Sequence, residues 1–226
     1  MEMVYAPGCA LMIYKPHLAE RMHAMLTKHL GDMKRLDTCC RNHPELPDGT
    51  QVINTCPGCD RRYRNNYASS TTKSVWEIIA EGDWFPLPDY HGARMSIHDA
   101  CPTRDQPRVH LAIRTLLRRM NIELIEPERT GMSATCCGDS FYPGLGVEEV
   151  NEKMRIRASE MPEVDVVVYC VSCVKSMFIG GKRPRYLVDL LFGEETEPQI
   201  TDTVKWHEQI DAYTLSHGAR TPRDCP

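Results

Sequence analysis

Ten of the eleven cysteines fall into one order that occurs twice. Cys9, Cys39, Cys40, Cys56 and Cys59 give a single cysteine, a vicinal pair and a CxxC, and Cys101, Cys136, Cys137, Cys170 and Cys173 repeat it. An order kept over so many positions marks an internal duplication. Two adjacent cysteines do not close an unstrained disulfide with each other, so each copy has to deliver two sulfurs to one point of the backbone for another purpose. The copies differ in one spacing: 15 residues separate the first vicinal pair from its CxxC, and 32 separate the second.

The flanking patterns describe an α/β fold of two pseudo-repeated halves, each a small, mostly parallel sheet flanked by helices. A short apolar run ends at each single cysteine, "MVYAPGC" and "MSIHDAC", and another leads into each CxxC, "QVINTCPGC" and "VDVVVYCVSC". Such runs read as strands. Leu18, Met22, Met25 and Leu26 after the first, and Val109, Ile113, Leu116, Leu117 and Met120 after the second, are spaced as helix core stripes. Val75, Trp76, Ile78 and Ile79 form another helical pattern, as do Val150, Met154, Ala158 and Met161. Strands alternating with helices imply parallel sheets. The Gly-, Pro- and aromatic-rich segment 81–92 is the natural seam, which divides the chain into residues 1–92 and 93–226. The second half carries a polar tail from Glu194 with one helix near "VKWHEQIDAY". Cys225 stands outside both repeats and receives no role.

Composition narrows the class of partner. A formal charge of −4 lacks the basic excess that nucleic acid or an anionic membrane would require. No apolar run approaches the roughly 20 residues of a membrane-spanning helix, and "MEMVYAPGC" has no export signal, so a cytoplasmic protein without a span is expected. Clustered thiols in a reducing compartment point to metal rather than to disulfides.

One structural zinc takes four ligands. Each copy offers five sulfurs, a surplus for one zinc but a suitable set for a polynuclear iron–sulfur cluster. The single cysteine and the CxxC both follow predicted strands, where open parallel sheets place their ligands, and a helix starting there aims N–H groups at an anionic group. Gly138, after the second pair, permits a positive φ or a close backbone approach to inorganic sulfur.

The chain resembles the duplicated cysteine-rich "CCG" family found in the B subunit of heterodisulfide reductase, in subunits of anaerobic glycerol-3-phosphate dehydrogenase, glycolate and lactate oxidases, and in some succinate:quinone reductases. The likeness runs from "YAPGCALMIY" through "NTCPGCDRRY", "IHDACPTR" and "CCGDSFYPG" to "CVSC" and "YLVDLLFGEE". It implies that Cys9, Cys39, Cys40, Cys56 and Cys59 ligate one cluster and Cys101, Cys136, Cys137, Cys170 and Cys173 a second. In the reductase both are non-cubane [4Fe-4S] clusters that split a disulfide between them. The implied function is an oxidoreductase subunit that reduces a small disulfide or thiol substrate, or relays electrons, with an iron–sulfur or flavin-bearing partner as donor. Two other readings stand beside it: a zinc- or single-cluster-stabilised scaffold without catalysis, and an electron-transfer subunit to quinone with no substrate site. The first pair departs from the family, reading "CCR" with Arg41 where glycine is usual.

Further residues near the cysteines carry sharper expectations. His98, three residues before Cys101, is a candidate catalytic proton donor or a hydrogen-bond donor to cluster sulfur; Asp99 is a weaker one. Arg61, Arg62, Arg64, Arg104 and Lys175 either balance cluster charge or serve as ordinary helix surface. The methionines on the helix stripes are packing residues.

Overall fold

The computed structural model describes residues 2–218. Cys225 lies outside the described residues. The described residues divide into two compact units, one of residues 2–78 and 207–218, the other running from Ile79 to Trp206.

The first unit holds strands β1 (Met3–Ala6), β2 (Lys34–Arg35), β3 (Gln51–Asn54) and β4 (Thr71–Ser74) in the order β2-β1-β3-β4, all parallel. The second holds β5 (Ala93–His98), β6 (Ile122–Ile125), β7 (Asp165–Val168) and β8 (Arg183–Tyr186) in the equivalent order β6-β5-β7-β8, again all parallel. Two all-parallel sheets of one topology bear out the duplicated α/β fold. In each sheet the chain moves outward from the first strand, then returns to its other side, so the order reverses between β1 and β3 and between β5 and β7. That reversal is where open α/β sheets bind ligands. Cys9 follows β1 and Cys56 follows β3, while Cys101 follows β5 and Cys170 follows β7, which places four of the ten cysteines at the two switch points.

The helices are α1 (Cys9–Tyr14), α2 (Pro16–Leu30), α3 (Pro57–Asn66), α4 (Val75–Ala80), α5 (Pro107–Arg119), α6 (Val147–Ser159), α7 (Val171–Ile179), α8 (Leu187–Phe192) and α9 (Thr203–Ser216). The predicted stripes are core except at Met25, which is half-buried: Leu18, Met22 and Leu26 on α2, Val109, Ile113, Leu116 and Leu117 on α5, and Val150, Met154 and Ala158 on α6 are all buried. Pro16 and Pro107 open α2 and α5 at a position where the missing N–H costs nothing. Met120 and Met161 are also buried but lie just past their helices. In the seam segment, Phe85 is buried against the Phe192 ring at 5.5 Å and the Tyr90 hydroxyl donates to the Leu190 carbonyl at 2.8 Å. This segment is anchored to the second unit, not a free linker.

Candidate iron–sulfur centres

Each unit gathers its five cysteines into one nest, and all ten are free thiols. In the first, the thiols form an unbroken hydrogen-bonded chain in the order Cys9, Cys39, Cys40, Cys59, Cys56. The second repeats it as Cys101, Cys136, Cys137, Cys173, Cys170. Hydrogen bonds from Cys40 and Cys9 hold the Cys39 thiol far below its usual range, and those from Cys101 and Cys137 do the same for Cys136. The donors move the other way, with Cys9 and Cys101 pushed up. One sulfur of each vicinal pair is therefore the acceptor on which the hydrogen bonds of its nest converge.

Local structure explains how each sulfur arrives. Cys56 and Cys170 cap α3 and α7, so each CxxC wraps the first turn of a helix. The Cys56 sulfur accepts the side-chain hydrogen bond of Cys59 and the backbone N–H groups of Cys59 and Gly58, which lower its pKa to about 7 against the effect of burial. This is the helix-start stabilisation of a thiolate that the strand–helix junction predicted. Gly8 stands at φ +85, and a Cβ there would come within 2.8 Å of the Cys56 Cβ and 3.3 Å of the Cys59 sulfur. The backbone beside Cys9 thus leaves room that any other residue would fill.

The two vicinal pairs are built differently. Gly138 has φ +105 and donates its N–H to the Cys136 sulfur at 3.3 Å, while a Cβ on it would lie 2.9 Å from the backbone nitrogen of Met154. Its close approach is to α6. In the first unit the pair enters a 3₁₀ turn, Cys40–Asn42, and the left-handed residue is His43, so no glycine is needed at Arg41. Arg41 instead reaches Asp211 at 3.2 Å, and Asn42 donates to the Thr214 and His217 carbonyls. The Thr214 hydroxyl on α9 sits 3.6 Å from the Cys39 sulfur; in the other nest the Ser140 hydroxyl sits 3.0 Å from Cys136.

The flanking charges divide into structural and open groups. Arg64 pairs with Asp60 at 2.8 Å and Arg62 donates to the Cys40 carbonyl at 3.2 Å, whereas Arg61 is exposed. Arg104 donates to the Ala134 carbonyl at 2.6 Å, fixing the loop before Cys136. Lys175 is buried and pairs with Asp139 at 2.5 Å, tying α7 to the residue after Gly138. Asp99 is fully buried and accepts from Arg114, from the Gly131 N–H at 2.6 Å and from the Tyr169 hydroxyl at 3.1 Å.

His98 ends β5 with no exposed surface. Its Nδ1 accepts from Arg157 Nε at 3.1 Å, and its Nε2 has no protein partner. Burial, then the Arg157 charge, lower its pKa to about 3. A ring nitrogen lies within 4.8 Å of the Cys137 and Cys173 sulfurs. Neither Arg157 nor Arg114 was a sequence candidate. The available hint for Arg157 was a charged residue set between Met154 and Ala158 on an apolar stripe.

Space around the nests is also unequal. A cavity of about 200 Å³ opens beside Cys136, lined among others by Arg129, Phe141, Lys153, Ile156 and Glu160. Beside Cys9 and Cys40 a cavity of about 10 Å³, room for one water, is bounded by Met12, Leu36 and Tyr63.

In each nest five sulfurs are linked thiol to neighbouring thiol, the first nest adding a glycine cradle against Cys56 and Cys59 and the second an orphaned buried imidazole nitrogen near Cys137 and Cys173; five sulfur donors exceed the four that one zinc ion takes and suit a polynuclear iron–sulfur group. Among the described residues no helix is long and apolar enough to cross a membrane. A protein of Chromohalobacter salexigens described as "Probable membrane-anchored ferredoxin" is 31% identical over 101 residues, a match covering 42% of this chain and 15% of that protein. The family model described as "Cysteine-rich domain" (CCG) matches residues 95–178, a span containing β5, α6, β7 and the Cys101, Cys136, Cys137, Cys170 and Cys173 nest. Residues 95–178 are thus similar to the cysteine-rich domain of the CCG family.

Proposed function

We propose that the protein is an iron–sulfur subunit of a redox complex, with one cluster held by each five-cysteine nest. The observation that carries this reading is the thiol chain, formed in the same order at the switch point of both sheets. The likeness to a protein described as a ferredoxin agrees with electron transfer. Bound clusters would supply one-electron steps; the chain's own residues gather the sulfurs, bury Cys39, Cys40, Cys59, Cys137 and Cys173, and determine what can approach the rest.

The finer reading is reduction of a small disulfide-type substrate at the second nest, with electrons delivered by an iron–sulfur or flavin-bearing partner. The cavity beside Cys136 supports it, since it has the volume for a small organic molecule, whereas the space beside Cys9 does not. Arg129 and Lys153 give the cavity cationic walls, only partly offset by Glu160, and Phe141 and Ile156 give it apolar ones. Of the two roles open to His98, the geometry favours hydrogen-bond donation, because Arg157 already occupies Nδ1. A relay to quinone is the second reading, favoured by the membrane-anchored description of the relative.

Paramagnetic resonance of anaerobic protein, with and without 3-mercaptopropionate, separates these readings. A substrate site at the second nest predicts a changed signal on adding the thiol. An unchanged signal, together with electron transfer to a soluble quinone analogue, would overturn disulfide reduction in favour of the relay.

A further inference from the structure

His98 and Ala6 occupy equivalent places. Each is the last residue of the strand before the switch point, three residues ahead of the single cysteine. Only the second unit therefore has a polar side chain at this position, and there it is fully buried with Nε2 unpartnered.

The neighbour at Nδ1 determines what Nε2 can do. Arg157 is 2% exposed and donates Nε–H to His98 Nδ1 at 3.1 Å. Its remaining nitrogens are held by the Glu160 carboxylate and by the Arg129 carbonyl at 2.9 Å, so the guanidinium is fixed from three sides. A guanidinium has donors and no acceptor, so Nδ1 must be the bare nitrogen and the neutral ring carries its proton on Nε2. With Nδ1 occupied, Nε2 is the nitrogen left to meet the Cys137 and Cys173 sulfurs, which lie within 4.8 Å of the ring's ligating atom. It presents an N–H there and not a lone pair, which makes His98 a hydrogen-bond donor and not an additional metal ligand.

We propose that Arg157 is a positioning residue that holds the unpartnered His98 Nε2–H toward the Cys137 and Cys173 sulfurs as a donor for the sulfur of a group bound there, and that this donor raises the reduction potential of the second centre above that of the first. Hydrogen bonds to cluster sulfur stabilise the reduced state, which carries more negative charge. Ala6 offers no such donor. Arg157 comes from α6, which lies within the 32-residue stretch between Cys137 and Cys170; the equivalent 15-residue stretch of the first unit contains no helix of that length. The longer spacing thus supplies the residue that makes the centres unequal, and electrons collect beside the larger cavity. This inference rests on the reading that both nests hold clusters.

A redox titration followed by paramagnetic resonance tests it on iron-loaded wild type, His98→Ala, Arg157→Met and the double variant. His98→Ala is expected to weaken reduction of one centre about tenfold, about 59 mV for one electron, and to leave the other unchanged. Arg157→Met should shift the same centre in the same direction, and should add nothing in the His98→Ala background. His98→Gln, whose amide still donates, should recover part of the shift. If Arg157→Met fails to take up iron, Arg157→Gln, a donor of shorter reach, replaces it in the cycle. Unmoved potentials in His98→Ala, or an Arg157 effect of equal size with and without His98, would overturn the proposal. Protein that binds no iron and sulfide would instead sink the underlying reading.

Discussion

Arg114 clasps Asp99 through two parallel hydrogen bonds, Nη1 to Oδ1 at 2.8 Å and Nη2 to Oδ2 at 2.6 Å, two residues before Cys101. Asp99 also receives the Gly131 N–H and the Tyr169 hydroxyl, so one buried carboxylate joins the end of β5 to α5, to the loop before the vicinal pair and to the end of β7. Removing one partner of a buried ion pair leaves an uncompensated charge and costs about 3–5 kcal/mol. Arg114→Leu should lower the stability of the second unit by that amount in urea unfolding, with the first unit's transition unmoved.

Asp99 also makes the second unit sensitive to acid. Burial pushes its pKa up, but the Arg114 hydrogen bonds and charge, with the Gly131 N–H, outweigh that and hold it well below the usual carboxylate range. A carboxyl whose folded pKa is depressed contributes stability that is fully present above its unfolded pKa, about 3.9, and is lost as pH falls toward the folded value. Wild type should therefore lose stability steadily below about pH 4. Asp99→Asn should start less stable at neutral pH and show a flatter profile over that acid range, as read by circular dichroism.

Two glycines should fail in distinct ways. Gly138→Ala would force an L-residue to φ +105 and bring its Cβ to 2.9 Å from the Met154 backbone nitrogen, which backbone cannot yield cheaply. A loss of at least about 1–3 kcal/mol is expected. Gly8→Ala would press on the Cys56 Cβ and the Cys59 sulfur instead. Iron analysis should show reduced loading of the first nest, with the signal of the second retained.

The cavity beside Cys136 makes a charge-dependent prediction. Lys153 stands over the Phe141 ring at 5.1 Å on the cavity wall. Lys153→Glu should weaken the spectral response to anionic 3-mercaptopropionate on the order of tenfold while leaving that to neutral 2-mercaptoethanol nearly unchanged. Equal loss for both thiols would show that the lysine shapes the cavity and does not attract the ligand.

The architecture was legible where burial is strongest. The central strands β1, β3, β5 and β7 are largely covered and read as apolar runs, but β2 is only Lys34–Arg35 and β4 is Thr71–Ser74, polar edges without a hydrophobic period. The vicinal pairs and CxxC motifs showed which sulfurs belong together, because the repeat carries that information. It did not show that Thr214 approaches Cys39 or that Arg157 reaches His98, since partners 175 and 59 residues apart leave no local pattern. Arg41 in place of glycine was visible in the sequence. Its consequence, a 3₁₀ turn that moves the left-handed residue to His43, was not.

The central claim is that each nest binds a polynuclear iron–sulfur group. The direct test is iron and acid-labile sulfide per chain in anaerobically purified wild type and Cys137→Ser. We predict both elements in wild type, with iron well above one atom per chain, and roughly half of each remaining in the folded variant. Stoichiometric zinc without labile sulfide in the wild-type protein would contradict the account.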